Sequence, residues 1–286
     1  MNKAKKSFSI VMGILIISGV FIANNALGAG PGHGGFDGGP LLGVLQKIDL
    51  TDAQKQYIAT NILTTTALST LQGDVLAVAQ DRAQLFKDLL TPGTSSGTIN
   101  TDVSKLGSDE ATLSTDLAGI WASIKTHLGS SQQAKNLQDI IAKIGTHKGR
   151  FGHHHMFGLL HKLDLTSEQK SAIHTIFSSN TSLKPDREAL TSARATLLKA
   201  ILSGDTSAIG TATTGDVGAV VTAQSSLANV QLTIWNQIVD TSTPVLKPAQ
   251  LSTLSTIVGK IGTHITTAID ERFTELSNVM KYWNTL

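Results

Sequence analysis

Apolar residues recur along this chain at spacings of three and four, in long runs that end at Gly, Pro or Ser/Thr-rich breaks. Such spacing puts the apolar side chains on one face of an α-helix. A first helix is predicted from Asp52 towards Leu90, stopped by Thr91-Pro92-Gly93. A second carries Val103, Leu106, Leu113, Leu117, Ile120, Ile124 and Leu128; a third carries Leu137, Ile140, Ile141 and Ile144 and ends at Gly145. The pattern then begins again. A helix from Ser167 is expected to break or kink at Pro185 and to resume through Leu190, Leu197, Leu198, Ile201 and Leu202. Val217, Val220, Leu227, Val230, Ile234 and Ile238 form the next stripe, and a last helix runs from Leu251 to Met280. No strong alternation of the kind strands show interrupts these runs. The fold class is therefore all-α, made of helical hairpins, with Trp121, Trp235 and Trp283 as packing anchors.

The restart is a duplication. KIDLTDAQK at Lys47–Lys55 returns as KLDLTSEQK at Lys162–Lys170, 115 positions later, and KIGTH at Lys143–His147 returns at Lys260–His264. The shared phrase has a local meaning. The Thr51 hydroxyl can accept the Gln54 backbone N–H while the Gln54 side chain reaches back to the Thr51 N–H, and Thr166 with Gln169 repeats this. Each is a capping box that starts a helix. Asp52 and Glu168 fall in the first turn, where negative charge suits the helix dipole. A second helix start precedes each KIGTH: Ser130-Ser131-Gln132-Gln133 in the first copy and Leu246-Lys247-Pro248-Ala249-Gln250 in the second, with Pro at the favoured first position. Two units follow, residues 40–147 and 157–286, joined by a Gly/His-rich linker at 148–156.

The chain opens with Lys3, Lys5 and Lys6, an uncharged apolar run from Phe8 to Ala23, and a small-residue stretch around Ala26 and Gly28. That is the layout of a secretory signal peptide over residues 1–28, and the run falls short of the ~20 residues a spanning helix needs. Stable membrane insertion after cleavage is not expected. Removing residues 1–28 leaves 20 basic against 21 acidic residues, a net of −1. A nucleic-acid binder would carry a strong basic excess. There is no Cys, so neither disulfides nor a lipidated N-terminal Cys can tether the exported domain.

LTxxQ phrases after a Gly/His-rich arm (residues 29–39), in two helical units of an exported chain, resemble the Spy/CpxP family of periplasmic proteins. The matching positions are Leu50, Thr51 and Gln54, then Leu165, Thr166 and Gln169, then Leu246 and Gln250 with Lys247 in place of Thr. In the first unit the second motif matches only as Leu128-Gly129-Ser130-Ser131-Gln132. The resemblance implies a thin, curved, cradle-like dimer of hairpins. Here the two halves would lie in one chain as a monomeric pseudo-dimer, so that association becomes intramolecular. It also implies an ATP-independent periplasmic chaperone for unfolded or aggregation-prone clients, a partner of an envelope sensor protein, or a metal-responsive protein. One departure from the family is the charge: at −1, acidic clients are steered only weakly.

Nine histidines supply candidate imidazole ligands for a borderline metal. His153, His154, His155 and His161 cluster around the linker, and His33 lies in the N-terminal arm, a set that could hold zinc or copper as neutral imidazoles. Solvated linker histidines are the alternative. His127, His147, His174 and His264 are isolated, as helix-end or surface residues are. No metalloprotease HExxH, nucleotide-binding Gly loop or GxSxG nucleophile motif occurs, so the chain is not expected to be an enzyme.

Overall fold

The computed structural model describes residues 44, 45, 47–144, 160, 163–239, 245–259 and 261–286. Among them are ten α-helices and no strand. In the first unit these are α1 (Asp52–Tyr57), running into a π-helical turn (Ile58–Ile62), α2 (Thr65–Leu89), α3 (Ser96–Lys125) and α4 (Ser131–Lys143). The second unit has α5 (Ser167–Ser179), α6 (Leu183–Ser203), a single turn α7 (Thr206–Ile209), α8 (Gly215–Val239), α9 (Pro248–Gly259) and α10 (Ile261–Trp283).

Four boundaries differ from the sequence expectation, two of them for a visible local reason; one is that Leu128, expected on the second helix, lies past the end of α3 at Lys125. The helix expected from Asp52 to Leu90 bends by 70° between the π-helical turn and α2. Thr64 takes an extended conformation there, and its hydroxyl accepts the Ala67 N–H, so a fresh cap starts α2 although the apolar stripe continues. Pro185 does not break a helix. The break is at Asn180–Ser182, and Pro185 is the third residue of α6, where its missing N–H has no intrahelical partner to lose. The expected last helix is two, α9 and α10. The end of α4 agrees to within a residue: it stops at Lys143, with Ile144 as its C-cap, while Gly145 lies outside the described residues.

The hairpins α2–α3 and α6–α8 pack on one another through α3, which touches α6, α7 and α8. Their apolar faces form one continuous core containing Leu71, Val78, Leu85, Ile99, Leu106, Leu113, Trp121, Leu197, Ile201, Val217, Val220 and Leu227. The hairpins run tip to base. Leu90 and Phe86, at the tip of the first, join a cluster with Trp235, Ile238 and Leu246 at the base of the second. At the other end, Lys125 Nζ donates to the Ser203 carbonyl at 2.6 Å, and Gly204 approaches the Ala122 backbone so closely that a Cβ there would sit 2.8 Å from it. Helix α10 lies along α2 and α1, tied by Gln72 to Asp270 at 2.9 Å and Thr60 to Asn284 at 2.8 Å.

The apolar side chains thus face each other rather than an open concave surface: among the described residues the exposed large hydrophobics are Tyr57, Tyr282 and Leu286. All three tryptophans are buried, as expected of anchors. Close approach of the units depends on Gly107 of α3, where an added Cβ would collide with Val221 of α8. Gly107→Ala should therefore destabilise by about 1–3 kcal/mol through overpacking. Gly119→Ala, at an open position of the same helix, should stabilise by about 0.5–1 kcal/mol. Denaturant midpoints of the two variants check the contrast.

Candidate functional site

Both capping boxes form. Thr51 Oγ1 accepts the Gln54 N–H at 3.3 Å and the Thr51 N–H donates to Gln54 Oε1 at 2.9 Å; for Thr166 and Gln169 the distances are 3.2 and 3.0 Å. Glu168 in the first turn is held below the ordinary carboxylate range by backbone N–H donation and the Thr166 hydroxyl. Thr51 and Thr166 are exposed and act only within their own turn. Thr51→Ala and Thr166→Ala should each cost about 1 kcal/mol, the usual loss of a helix cap, read as a shift in thermal midpoint.

The glutamines of these boxes have a second role that the local pattern does not contain. Gln54 Nε2 donates to Gln133 Oε1 at 3.0 Å, and Gln133 Nε2 returns a bond to Gln54 Oε1 at 2.7 Å. Gln54 Nε2 also donates to the His127 carbonyl at 2.7 Å, and Gln133 Nε2 to the Asp49 carbonyl at 2.9 Å, while Gln133 Oε1 accepts the Gly129 N–H at 3.1 Å. Each amide thereby fills its two donor and two acceptor places. The pair clasps the N-termini of α1 and α4 to the end of α3 and closes the base of the first hairpin.

The second unit repeats the clasp. Gln169 and Gln250 exchange bonds of 2.9 and 3.2 Å; Gln169 Nε2 donates to the Val245 carbonyl at 2.5 Å and Gln250 Nε2 to the Leu163 carbonyl at 2.9 Å. Lys247, the residue in place of Thr, contributes through its backbone, its N–H donating to Gln250 Oε1 at 2.8 Å. Leu246 is fully buried beneath the turn; Leu50 is buried and Leu165 half-buried in the equivalent places. Asp49 and Asp164 each adopt positive φ, 53° and 45°, a left-handed conformation that Asp tolerates better than most residues. Those turns aim the carbonyls of Asp49 and Leu163 at the opposing amide, which explains the Asp in both copies of the phrase.

One sequence assignment is corrected here. The glutamine that pairs with Gln54 is Gln133, not Gln132, because the first unit has one residue more between Leu128 and that amide than the second has between Leu246 and Gln250. Gln132 is exposed and reaches only Asn136, at 2.8 Å. The S-x-x-Q start at Ser130 was the available signal: Ser130 Oγ caps the Gln133 N–H at 3.2 Å.

A second polar constellation joins the units. Arg82 of α2 pairs with Glu110 of α3, and Arg194 of α6 bonds Gln224 of α8 at 2.8 Å. Burial, with the nearby Arg82 guanidinium, lowers the affinity of Arg194 for its proton, and Glu110 opposes that. Arg82 and Arg194 are thus counterparts in the two hairpins, meeting near a shared carboxylate. Sequence periodicity missed this centre because charged residues inside an apolar stripe read as solvated.

His33, His153, His154, His155 and His161 all lie outside the described residues. Among the described residues no group of three or more His, Cys, Asp or Glu is placed to hold a metal ion. His127, at the end of α3, stacks on Tyr57 with ring centroids 3.8 Å apart, beside the first clasp. Among the described residues no single helix is long and apolar enough to cross a membrane. Neither models of known protein families, nor curated proteins, nor solved structures give a match to this chain.

Proposed function

We propose that this chain is an exported, periplasmic, ATP-independent chaperone, a single-chain pseudo-dimer of Spy/CpxP-like hairpins that holds unfolded or aggregation-prone proteins. The observation that carries this reading is the twice-repeated glutamine clasp. It gives the LTxxQ phrases one physical purpose, to lock a hairpin at its base, in the two places where the resemblance puts them. The tip-to-base packing of α2–α3 against α6–α8 supports the pseudo-dimer, since each half covers the other's apolar face. The groups that make the clasps are neutral amides, hydroxyls and backbone groups, which hold geometry. Client contact then falls to the polar Ser/Thr/Gln surface and scattered exposed residues such as Tyr57 and Tyr282.

The test is suppression of aggregation of a chemically unfolded client by the mature chain without nucleotide, run with EDTA and with added zinc or copper. Suppression that is indifferent to metal supports the chaperone. Suppression only with metal transfers the function to the histidine arm, and no suppression removes the proposal. Sedimentation should give a monomer at micromolar concentration; a stable dimer of full chains would remove the pseudo-dimer.

A further inference from the structure

The first hairpin carries an acidic ladder across its helix interface. Asp74, Asp81 and Asp88 stand seven residues apart on α2, and Asp116, Asp109 and Asp102 stand seven apart on α3 in the opposite direction. They meet as three rungs, Asp74 with Asp116, Asp81 with Asp109, and Asp88 with Asp102, each a pair of carboxyls within hydrogen-bonding reach. Two ionised carboxylates are acceptors only, so neither can satisfy the other. The consequence is visible on every rung: Asp74 Oδ2, Asp81 Oδ2 and Asp102 Oδ2 are buried with no hydrogen-bond partner among the described residues. The middle rung has a counter-charge, because Lys105 pairs with Asp81 and lies 3.8 Å from Asp109. The outer rungs form no ion pair at the salt-bridge distance among the described residues.

The duplicate hairpin keeps single acids, Asp186 and Asp216, as counterparts of Asp74 and Asp102, but no rung with two. Registering the units on Arg82 with Arg194 and on Glu110 with Gln224 sets Ala193 opposite Ala223 at the middle rung, and makes Ala200 and Val230 the counterparts of Asp88 and Asp116. Those residues pack in the apolar clusters. Pairing of the acids is thus particular to the first unit, at a cost in repulsion that the second unit avoids.

We propose that the α2–α3 hairpin is a proton-gated latch, closed under mildly acidic conditions by one proton on each outer rung and loosened at neutral pH when those protons leave. A proton converts each acceptor pair into a carboxyl donating to a carboxylate, which supplies the missing donor. Desolvation, followed by the partner Asp116 and then Asp109, raises Asp74 to about 6; desolvation, Asp88 and Asp81 raise Asp102 to about 6 against a smaller opposing effect of Lys105. Among elements packed on the hairpin, α8 carries one ionisable group, Asp216, whose hold on its proton is raised by burial and then by Asp205. The π-helical turn and α7 carry none, and α6 presents Arg194 to Arg82 and Glu110. Helix α10 sets Asp270 on Gln72, and its other described charges are Glu271, Arg272, Glu275 and Lys281. The groups that act on Asp74 are Asp116 and Asp109, and those that act on Asp102 are Asp88, Asp81 and Lys105, all of them on the hairpin itself.

The direction of the effect follows from proton binding. Between about pH 4, where unfolded Asp titrates, and about 6, the folded chain holds protons that the unfolded chain has released. Stability from these rungs is present in acid and is lost as pH rises through 6. The proposal is independent of chaperone activity, because its readout is unfolding. Denaturant melts of the mature chain at pH 5.0 and 7.5 should show a lower midpoint at pH 7.5, with the unfolding constant rising up to about tenfold per outer rung. Amide exchange, corrected for its intrinsic pH dependence, should accelerate in α2 and α3 more than in α6 and α8. The double variant Asp88→Asn/Asp116→Asn places a permanent amide donor on each outer rung, and should bring the pH 7.5 midpoint towards the pH 5.0 value, leaving only the slope that Asp109 and Asp216, also raised by burial, contribute. A wild-type midpoint that is flat or rises between pH 5.0 and 7.5 overturns the latch without reference to any variant, as does a double variant that keeps the wild-type slope.

Discussion

Glu110→Ala is expected to lower stability by about 3–5 kcal/mol, the cost of stripping one partner from a buried ion pair. Glu110 is 7% exposed and receives Arg82, whose side chain is also largely buried, while Arg194 from the second hairpin lies near both. The second unit has Gln224 where the first has Glu110, so one carboxylate serves two guanidinium groups. The Nε atoms of Arg82 and Arg194 are buried without hydrogen-bond partners among the described residues, so the centre has little to spare. Removing the carboxylate leaves two like charges in a poorly solvated seam between the units. Glu110→Gln keeps an acceptor of the same shape and should lose less, about 1–3 kcal/mol. Urea melts of both variants give the comparison. A midpoint unchanged in Glu110→Ala would mean that water reaches both guanidinium groups and that the seam between hairpins is wet.

Gln133→Ala should cost about 3 kcal/mol, and Gln132→Ala less than about 0.5 kcal/mol. Gln133 is 6% exposed, and its loss leaves the Asp49 carbonyl, the Gly129 N–H and one face of the Gln54 amide without their bonds. Buried polar groups left unsatisfied cost about 1–3 kcal/mol each, partly recovered where water enters. The surface neighbour loses one exposed bond to Asn136. Because primary amides do not titrate in this range, the Gln133→Ala loss should be the same at pH 5.0 and 7.5, unlike the behaviour of the acidic ladder. The double variant Gln54→Ala/Gln133→Ala should lose less than the sum of the single losses, since the two residues share one bonded ring. Equal losses at positions 132 and 133 would restore the Leu128–Gln132 alignment and remove the clasp from the first unit.

Thr51, Thr166 and the helical halves of Gln54 and Gln169 were legible because capping is a relation across three residues, wholly contained in the phrase. The same glutamines' bonds to Gln133 and Gln250 span 79 and 81 residues, and no periodicity reports a contact of that range. The extra residue before Gln133 breaks the match to Leu246–Gln250, since a short motif has no tolerance for an insertion, and leaves the Ser130–Gln133 helix start as the one mark of the equivalence. Thr64 hid a helix boundary for the opposite reason: the apolar stripe runs on through the bend, and hydrophobic spacing sees the stripe rather than the backbone. Pro185 misled because a proline ends a helix or begins one according to which residue starts the turn, and that depends on Asn180 to Ser182.

By itself, the sequence determined the all-α class, the duplication and the starts of α1 and α5, because helix periodicity, repeated phrases and capping boxes are set by residues close together in the chain. Only the tertiary structure decided that the hairpins pack tip to base through Gly107 and Gly204, that the motif glutamines pair across each base, that Arg82, Glu110 and Arg194 share a seam, and that six aspartates form three rungs. These are side-chain relations between distant segments. Their energies depend on exclusion of water by the packed helices, and burial of that kind belongs to the folded assembly and to no stretch of the chain.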